Sequence, residues 1–179
     1  QSGIENVVAS SGTSLTPAQI RLIHRFTNNV TVLYDGDAAG IKASLRGIDL
    51  LLEEGLNIKV VLLPEGEDPD SFSHKLNAVD LLNFIRDNSV DFIRFKTKLL
   101  MEDAANDPIK RSNLILDIVR SIAIIPEPIV RAEYVKECSN LLQVNEEILY
   151  HEINRLKRKE SEKKLGQSNV SASSTEPKP

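Results

Sequence analysis

Two apolar segments with β-strand character, each followed at once by an acidic turn, constrain this chain most strongly. Residues 30–34 lead into Asp-Gly-Asp-Ala-Ala-Gly at 35–40, and residues 58–63 lead through Pro64 into Glu-Gly-Glu-Asp-Pro-Asp at 65–70. An amphipathic helical repeat separates the two segments, so they are expected to be parallel strands of a β-α-β unit buried under helices. Parallel strands end at the same edge of a sheet, where open α/β folds bind ligands.

The helix between the strands is predicted from about Ala38 to the residue before Gly55, which is a good left-handed stop. Its apolar face is expected to comprise Ile41, Leu45, Ile48 and Leu52. An earlier helix is predicted to begin at Pro17, capped by Thr16 with Gln19 three residues on, and to run to about Asn28. It should bury Ile20, Ile23 and Phe26. Residues 7–10 are expected to form a short strand before it.

After Asp70 the pattern becomes helical. Five helices are predicted, at 76–87, 90–104, 108–124, 128–143 and 146–159. The fold class is therefore α/β followed by all-α, with domains at 1–87 and 88–159. Residues 160–179 end in a polar Ser- and Pro-rich stretch and are expected to form a disordered tail or linker.

Composition narrows the class of protein. The 179 residues carry a net charge of −4, which is unusual for a stand-alone nucleic-acid-binding protein. The one cysteine, Cys138, rules out an internal disulfide or a Cys-rich zinc site and fits a reducing cytosol. No apolar segment approaches the length of a membrane span. The chain begins at Gln1 rather than Met, which suggests part of a longer protein.

The four aspartates of the two turns are candidate metal ligands. Asp35 and Asp37 flank a glycine, and Asp68 and Asp70 flank a proline. Carboxylates clustered at one sheet edge repel one another unless cations lie between them, which favours Mg²⁺ and phosphate chemistry. The alternative is that Asp, Gly and Pro are here simply turn residues.

At these residues the chain resembles the Toprim fold of bacterial DnaG-type replicative primases. The resemblance runs from Gly3 to about Phe72, where four segments follow the family's order and spacing. They are residues 9–16, the lead-in 27–30, the motif 34–40 and the second acidic motif 62–70. The fold implied is a partial Toprim domain, a Rossmann-like parallel sheet with flanking helices. The helical subdomain resembles, more weakly, the part of the polymerase core that follows Toprim.

The resemblance implies metal-dependent synthesis of short RNA primers from ribonucleoside triphosphates on a single-stranded DNA template. It implies that Asp35 and Asp37 are catalytic metal ligands and that Asp68 and Asp70 complete a site for two Mg²⁺ or Mn²⁺ ions. It also implies a cytoplasmic replication protein that binds a replicative helicase through a part outside this chain.

Departures from the family limit what this chain is expected to do alone. The Glu-Gly-Tyr-x-Asp-like motif that begins Toprim is missing, and Glu5 has neither its flanking pattern nor its position. A zinc domain and a basic DNA-gripping subdomain are also missing, which explains the acidic charge. These 179 residues are therefore expected to bind metal weakly and to be inactive by themselves.

Further phosphate or nucleotide contacts are possible at Ser11, Gly12, Thr13 and Lys42, with a turn and a solvated helix face as the respective alternatives. Three other functions stay open at this point. The chain could belong to another Toprim enzyme, a topoisomerase or nuclease. It could be a dehalogenase-like phosphatase, although Ala38-Ala39-Gly40 does not fit that family. It could also contribute a helical module that docks a replication partner.

Overall fold

The computed structural model describes residues 4–9, 15–35, 38–104 and 107–172, apart from the side chains of residues 38–44, 46, 103 and 164–172. The strands are β1 (Asn29–Tyr34), β2 (Asn57–Leu62) and β3 (Val90–Asp91). The helices are α1 (Pro17–His24), α2 (Ala38–Glu53), α3 (Pro69–Lys75), α4 (Ala78–Asn88), α5 (Phe92–Ala104), α6 (Pro108–Ala123), α7 (Pro128–Leu142) and α8 (Glu146–Ala172).

The sheet of the described residues has the order β1-β2-β3. β1 and β2 are parallel and in register from Asn29 opposite Asn57 to Tyr34 opposite Leu62. This confirms the predicted β-α-β unit. The sheet is mixed rather than purely parallel, because β3 pairs antiparallel with β2. The sequence did not predict β3, since two residues carry no periodicity.

Local signals determine how α1 and α2 begin and end. Thr16 and Gln19 form the predicted capping box at the start of α1. Gly55 follows α2 with φ of +82°, the left-handed conformation expected of a helix stop. The predicted α2 positions with described side chains, 45, 48 and 52, are all buried. The apolar face of α2 is thus turned into the core that it shares with the sheet.

Two predictions near the N-terminus are wrong. Phe26, expected in the core, is 84% exposed because α1 ends at His24 and the chain turns before β1. Residues 7–9 are not a strand, and both valines there are exposed to solvent. Ser10, the last residue of that predicted strand, lies outside the described residues.

One large core joins the sheet to the helices that follow. Ile48 of α2, Val60 of β2, Ile93 of α5, Ile118 of α6 and Leu149 of α8 belong to the same buried cluster. The core therefore includes residues on both sides of the boundary predicted near residue 87, and that boundary stays a prediction.

The predicted helical half is present as α4 to α8, with two differences. A short helix, α3, precedes it and begins inside the second acidic loop. α8 extends beyond its predicted end at Lys159 to Ala172, so residues 160–172 of the predicted tail are helical, while residues 173–179 lie outside the described residues. The Lys, Arg and Glu residues there favour helix, and Arg158 pairs with Glu162 at 3.9 Å. None of the helices in the described part of the chain is both long and apolar enough to cross a membrane.

Candidate metal centre at the carboxyl end of the sheet

The register of β1 and β2 brings the starts of both acidic loops to one edge of the sheet. Tyr34 pairs with Leu62, and the next amide, Leu63 N, donates to the Tyr34 carbonyl oxygen at 2.9 Å. Asp35 follows β1 directly and is exposed at this edge. Burial raises the pKa of Tyr34 beside it to about 12, so its phenol stays protonated at neutral pH. The shared edge predicted from the sequence is present.

A tight turn opens the second loop. The Glu67 amide donates to the Pro64 carbonyl oxygen at 3.0 Å, and Gly66 has φ of +80°. A positive φ at the third position is typical of a type II turn, which favours glycine there. The turn reverses the direction of the chain just after β2.

Asp68 is the N-cap of α3. Its carboxylate accepts the Ser71 amide at 2.8 Å, while the Ser71 hydroxyl accepts the Asp68 amide at 3.1 Å, and Pro69 occupies the first helical turn. The Ser71 backbone bond lowers the pKa of Asp68. Helix capping therefore occupies at least one carboxylate oxygen of this predicted metal ligand. Asp68 thus has the local structural role that was the alternative to metal binding in the sequence analysis.

Asp70 lies in the first turn of α3 with a side chain that is 90% exposed. Its Oδ1 is 3.6 Å from His74 Nε2, one turn along the helix. A pair this exposed contributes little to stability. The Asp70 carboxylate is thus accessible to a cation from solvent.

Glu67 was part of the acidic motif but was not assigned a role from the sequence. Its carboxylate accepts hydrogen bonds from Lys75 Nζ and, at 3.0 Å, from Ser71 Oγ. These two bonds, the lysine first, lower the pKa of Glu67. Glu67 therefore links the turn to both ends of α3. In the sequence, the one sign of this role was a lysine, Lys75, eight residues after Glu67.

The other predicted site residues are only partly visible. Asp37, Ser11, Gly12 and Thr13 lie outside the described residues. Lys42 lies on the second turn of α2, and its side chain is outside the description as well. Among the side chains that the structure does describe, no three His, Cys, Asp or Glu residues come close enough together to hold a metal ion.

The donor chemistry of the described residues fits a divalent cation in part. Asp35 and Asp70 expose carboxylate oxygens, the ligands that Mg²⁺ prefers, whereas Asp68 is engaged by its helix. Assignment of Asp35, Asp37, Asp68 and Asp70 as one metal site stays a prediction.

Comparisons with known proteins point to one family. Residues 1–73 match the family described as Toprim-like. The DNA primase of Clostridium acetobutylicum is 37% identical over 153 residues, which are 84% of this chain and 25% of the relative. This chain is a homologue of bacterial DNA primases.

Solved structures of primases share the fold. The Aquifex aeolicus primase, with its zinc-binding and RNA polymerase domains, is 35% identical, with a TM-score of 0.65 over 83% of this chain and 35% of that one. A DnaG primase catalytic domain bound to single-stranded DNA is 28% identical, with a TM-score of 0.62 over 72% of this chain and 43% of that one.

These likenesses confirm the partial Toprim fold followed by helices, and they do not favour the topoisomerase, nuclease, phosphatase or docking-module alternatives. The chain spans about a quarter of the length of the curated primases it matches. What a complete primase does is therefore a proposal for this chain.

Proposed function

We propose that this chain is part of the catalytic core of a DNA primase, which makes short RNA primers on single-stranded DNA by metal-dependent nucleotidyl transfer. One observation carries the proposal. Two parallel strands, paired in register to their last residues, bring Asp35 and the loop 64–70 to the same sheet edge. That edge is where α/β folds bind phosphate-bearing ligands.

The acidic residues have distinct proposed roles. Asp35 and Asp37 would hold the divalent cations, Mg²⁺ or Mn²⁺, and Asp70 would complete the site from the second loop. Asp68 would act mainly by starting α3, which orients Asp70. Two bound ions would supply positive charge for activating the attacking oxygen and for stabilising the leaving oxygen of an in-line phosphoryl transfer.

Template, nucleotides and partners follow from the family. The DnaG domain bound to single-stranded DNA supports a DNA template for this chain, and ribonucleoside triphosphates are the proposed substrates. Ser11, Gly12, Thr13 and Lys42 are proposed phosphate contacts. A replicative helicase in the cytoplasm is the proposed partner, bound through a part of the protein outside these residues.

The test uses the complete protein that carries this chain. Purified protein is incubated with single-stranded DNA, labelled ribonucleotides and Mg²⁺ or Mn²⁺, and RNA products are resolved on a gel. Wild type should make short RNA, and Asp35→Ala and Asp37→Ala should make none. Asp87→Ala is the matched control, because Asp87 is an exposed carboxylate at the far end of α4. Full synthesis by both site variants would contradict the proposed site.

A further inference from the structure

A lysine is buried between the α/β part and the helices that follow it. Lys96 of α5 is 2% exposed. Its Nζ donates to Ser121 Oγ of α6 at 2.8 Å and lies 3.1 Å from Asp117 Oδ2 of the same helix. Asp49 Oδ2 of α2 is 3.9 Å away. The ammonium group therefore lies where three helices meet.

Ser121 closes the network toward α2. Its hydroxyl accepts from Lys96 and donates to Asp49 Oδ1 at 2.7 Å, so a continuous hydrogen-bonded path joins α5, α6 and α2. Burial raises the pKa of Asp49, and the positive charge of Lys96 opposes that rise. Loss of the lysine would leave Asp49 and Asp117 without their shared cation; both carboxylates are partly exposed, at 31% and 46%, so water would solvate them in part.

The network holds the helix that follows the first acidic loop. α2 begins at Ala38, directly after residues 35–37, and Asp49 lies eleven residues further along the same helix. That separation is about 16 Å along the helix axis. A tilt of about 4° at Asp49 would therefore displace the start of α2 by about 1 Å, a displacement that can cost a catalytic site about a hundredfold in rate.

We propose that Lys96 is a positioning residue that, through Ser121 and Asp49, sets the orientation of α2, the helix that follows the first acidic loop in the chain. The inference rests on the proposed function, because only there does the loop bind metal. This role would give the helical half of the chain a defined function, because α5 and α6 would hold α2, the helix that follows the first acidic loop.

The experiment compares three variants of the complete protein. Lys96→Met removes the cation and keeps an unbranched side chain, and Asp49→Asn removes only the charge at the α2 end. Thr97→Val is the matched control. Thr97 is the next residue of α5 and is also buried, but its hydroxyl donates to the Ile93 carbonyl oxygen of its own helix at 2.7 Å and lies 4.0 Å from Cys138 Sγ of α7.

The readout is the Mg²⁺ concentration that gives half-maximal primer synthesis, measured beside the thermal midpoint. Lys96→Met and Asp49→Asn should raise that concentration by about tenfold, as loss of an indirect metal-site contact does. Thr97→Val should leave it unchanged even where it lowers the midpoint. An unchanged Mg²⁺ requirement in both network variants, or an equal rise in Thr97→Val, would overturn the proposal.

Amide hydrogen exchange separates this inference from the proposed function. If wild type makes no primers, or if Asp35→Ala and Asp37→Ala both keep full synthesis, the proposed function fails. Exchange in residues 38–44 then decides the positioning role. Faster exchange there in Lys96→Met and Asp49→Asn, but not in Thr97→Val, would support coupling between the network and the start of α2. Wild-type exchange in both network variants would overturn it.

Discussion

Phe72 anchors the second acidic loop, and its truncation should loosen that loop. The ring is 9% exposed and belongs to a small cluster with Leu63 and Leu81, separate from the main core. It packs against Phe84 with ring centroids 4.7 Å apart and planes tilted by 59°. Burial of a phenylalanine contributes up to about 3 kcal/mol, and such an aromatic pair adds about 1 kcal/mol.

Because this cluster is small and near the surface, it can partly collapse around a deletion. We therefore expect Phe72→Ala to lower the free energy of unfolding by about 3 kcal/mol, the lower end for such truncations. Phe72→Leu keeps most of the volume and should cost about 1 kcal/mol. Urea unfolding followed by far-UV circular dichroism measures both values.

Hydrogen exchange locates the loss. In Phe72→Ala the amides of α3 should lose protection while those of α6, in the main core, keep theirs until global unfolding. A change in stability below about 0.5 kcal/mol, the range of ordinary surface substitutions, would refute the view that Phe72 anchors the loop.

Four further outcomes are expected. Tyr134→Phe, which removes the hydroxyl donated to Asp91 at 2.5 Å, should cost about 1–2 kcal/mol in urea unfolding; no loss would argue against that bond. Gly55→Ala should cost about 1 kcal/mol by the same assay, since φ there is +82°, and a stabilised variant would contradict the left-handed stop. Cys138 is buried with its pKa raised to about 11, so iodoacetamide at pH 8 should label it only after unfolding; rapid native labelling would refute its burial. Bonds from a lysine and a serine lower the pKa of Glu67, so its stabilising contribution is present above the ordinary glutamate pKa and lost as pH falls through the lowered one. The stability difference between wild type and Glu67→Gln should therefore shrink on acidification, and a difference constant from pH 7 to about pH 3 would oppose this.

Elements with strong local signals were predictable from the sequence. The capping box at Thr16, the stop at Gly55 and the apolar repeat of α2 lie within a few residues of the features they determine. The parallel pairing of β1 and β2 followed from the same local patterns, because both segments are largely apolar and a helix separates them, although Thr31 and Lys59 are exposed in the structure.

Features that depend on distant residues were missed. β3 is two residues long and exists only because Val90 meets Val60, thirty residues earlier. Lys96 looked like an ordinary helical lysine, and only the packing of α5 against α6 shows that its ammonium group contacts Ser121 and Asp117. The prediction that Phe26 is buried was wrong for the opposite reason. The helical periodicity was continued past His24, where α1 ends and the chain turns.

The candidate site was only partly predictable because one residue type serves two roles. Asp68 has the pattern of a metal ligand and equally of an N-cap followed by proline, and the structure shows the cap. The meeting of both loops at one sheet edge followed from the strand order. How closely the four aspartates approach one another depends on loop geometry that the sequence pattern does not contain.

Direct metal binding tests the central claim, that the acidic residues at this sheet edge hold divalent cations. Mn²⁺ is titrated into the complete protein, with free Mn²⁺ followed by electron paramagnetic resonance. We expect Asp35→Asn and Asp37→Asn each to weaken binding by about tenfold or more, with Asp87→Asn indistinguishable from wild type. Superimposable titrations of wild type and both site variants would contradict the account.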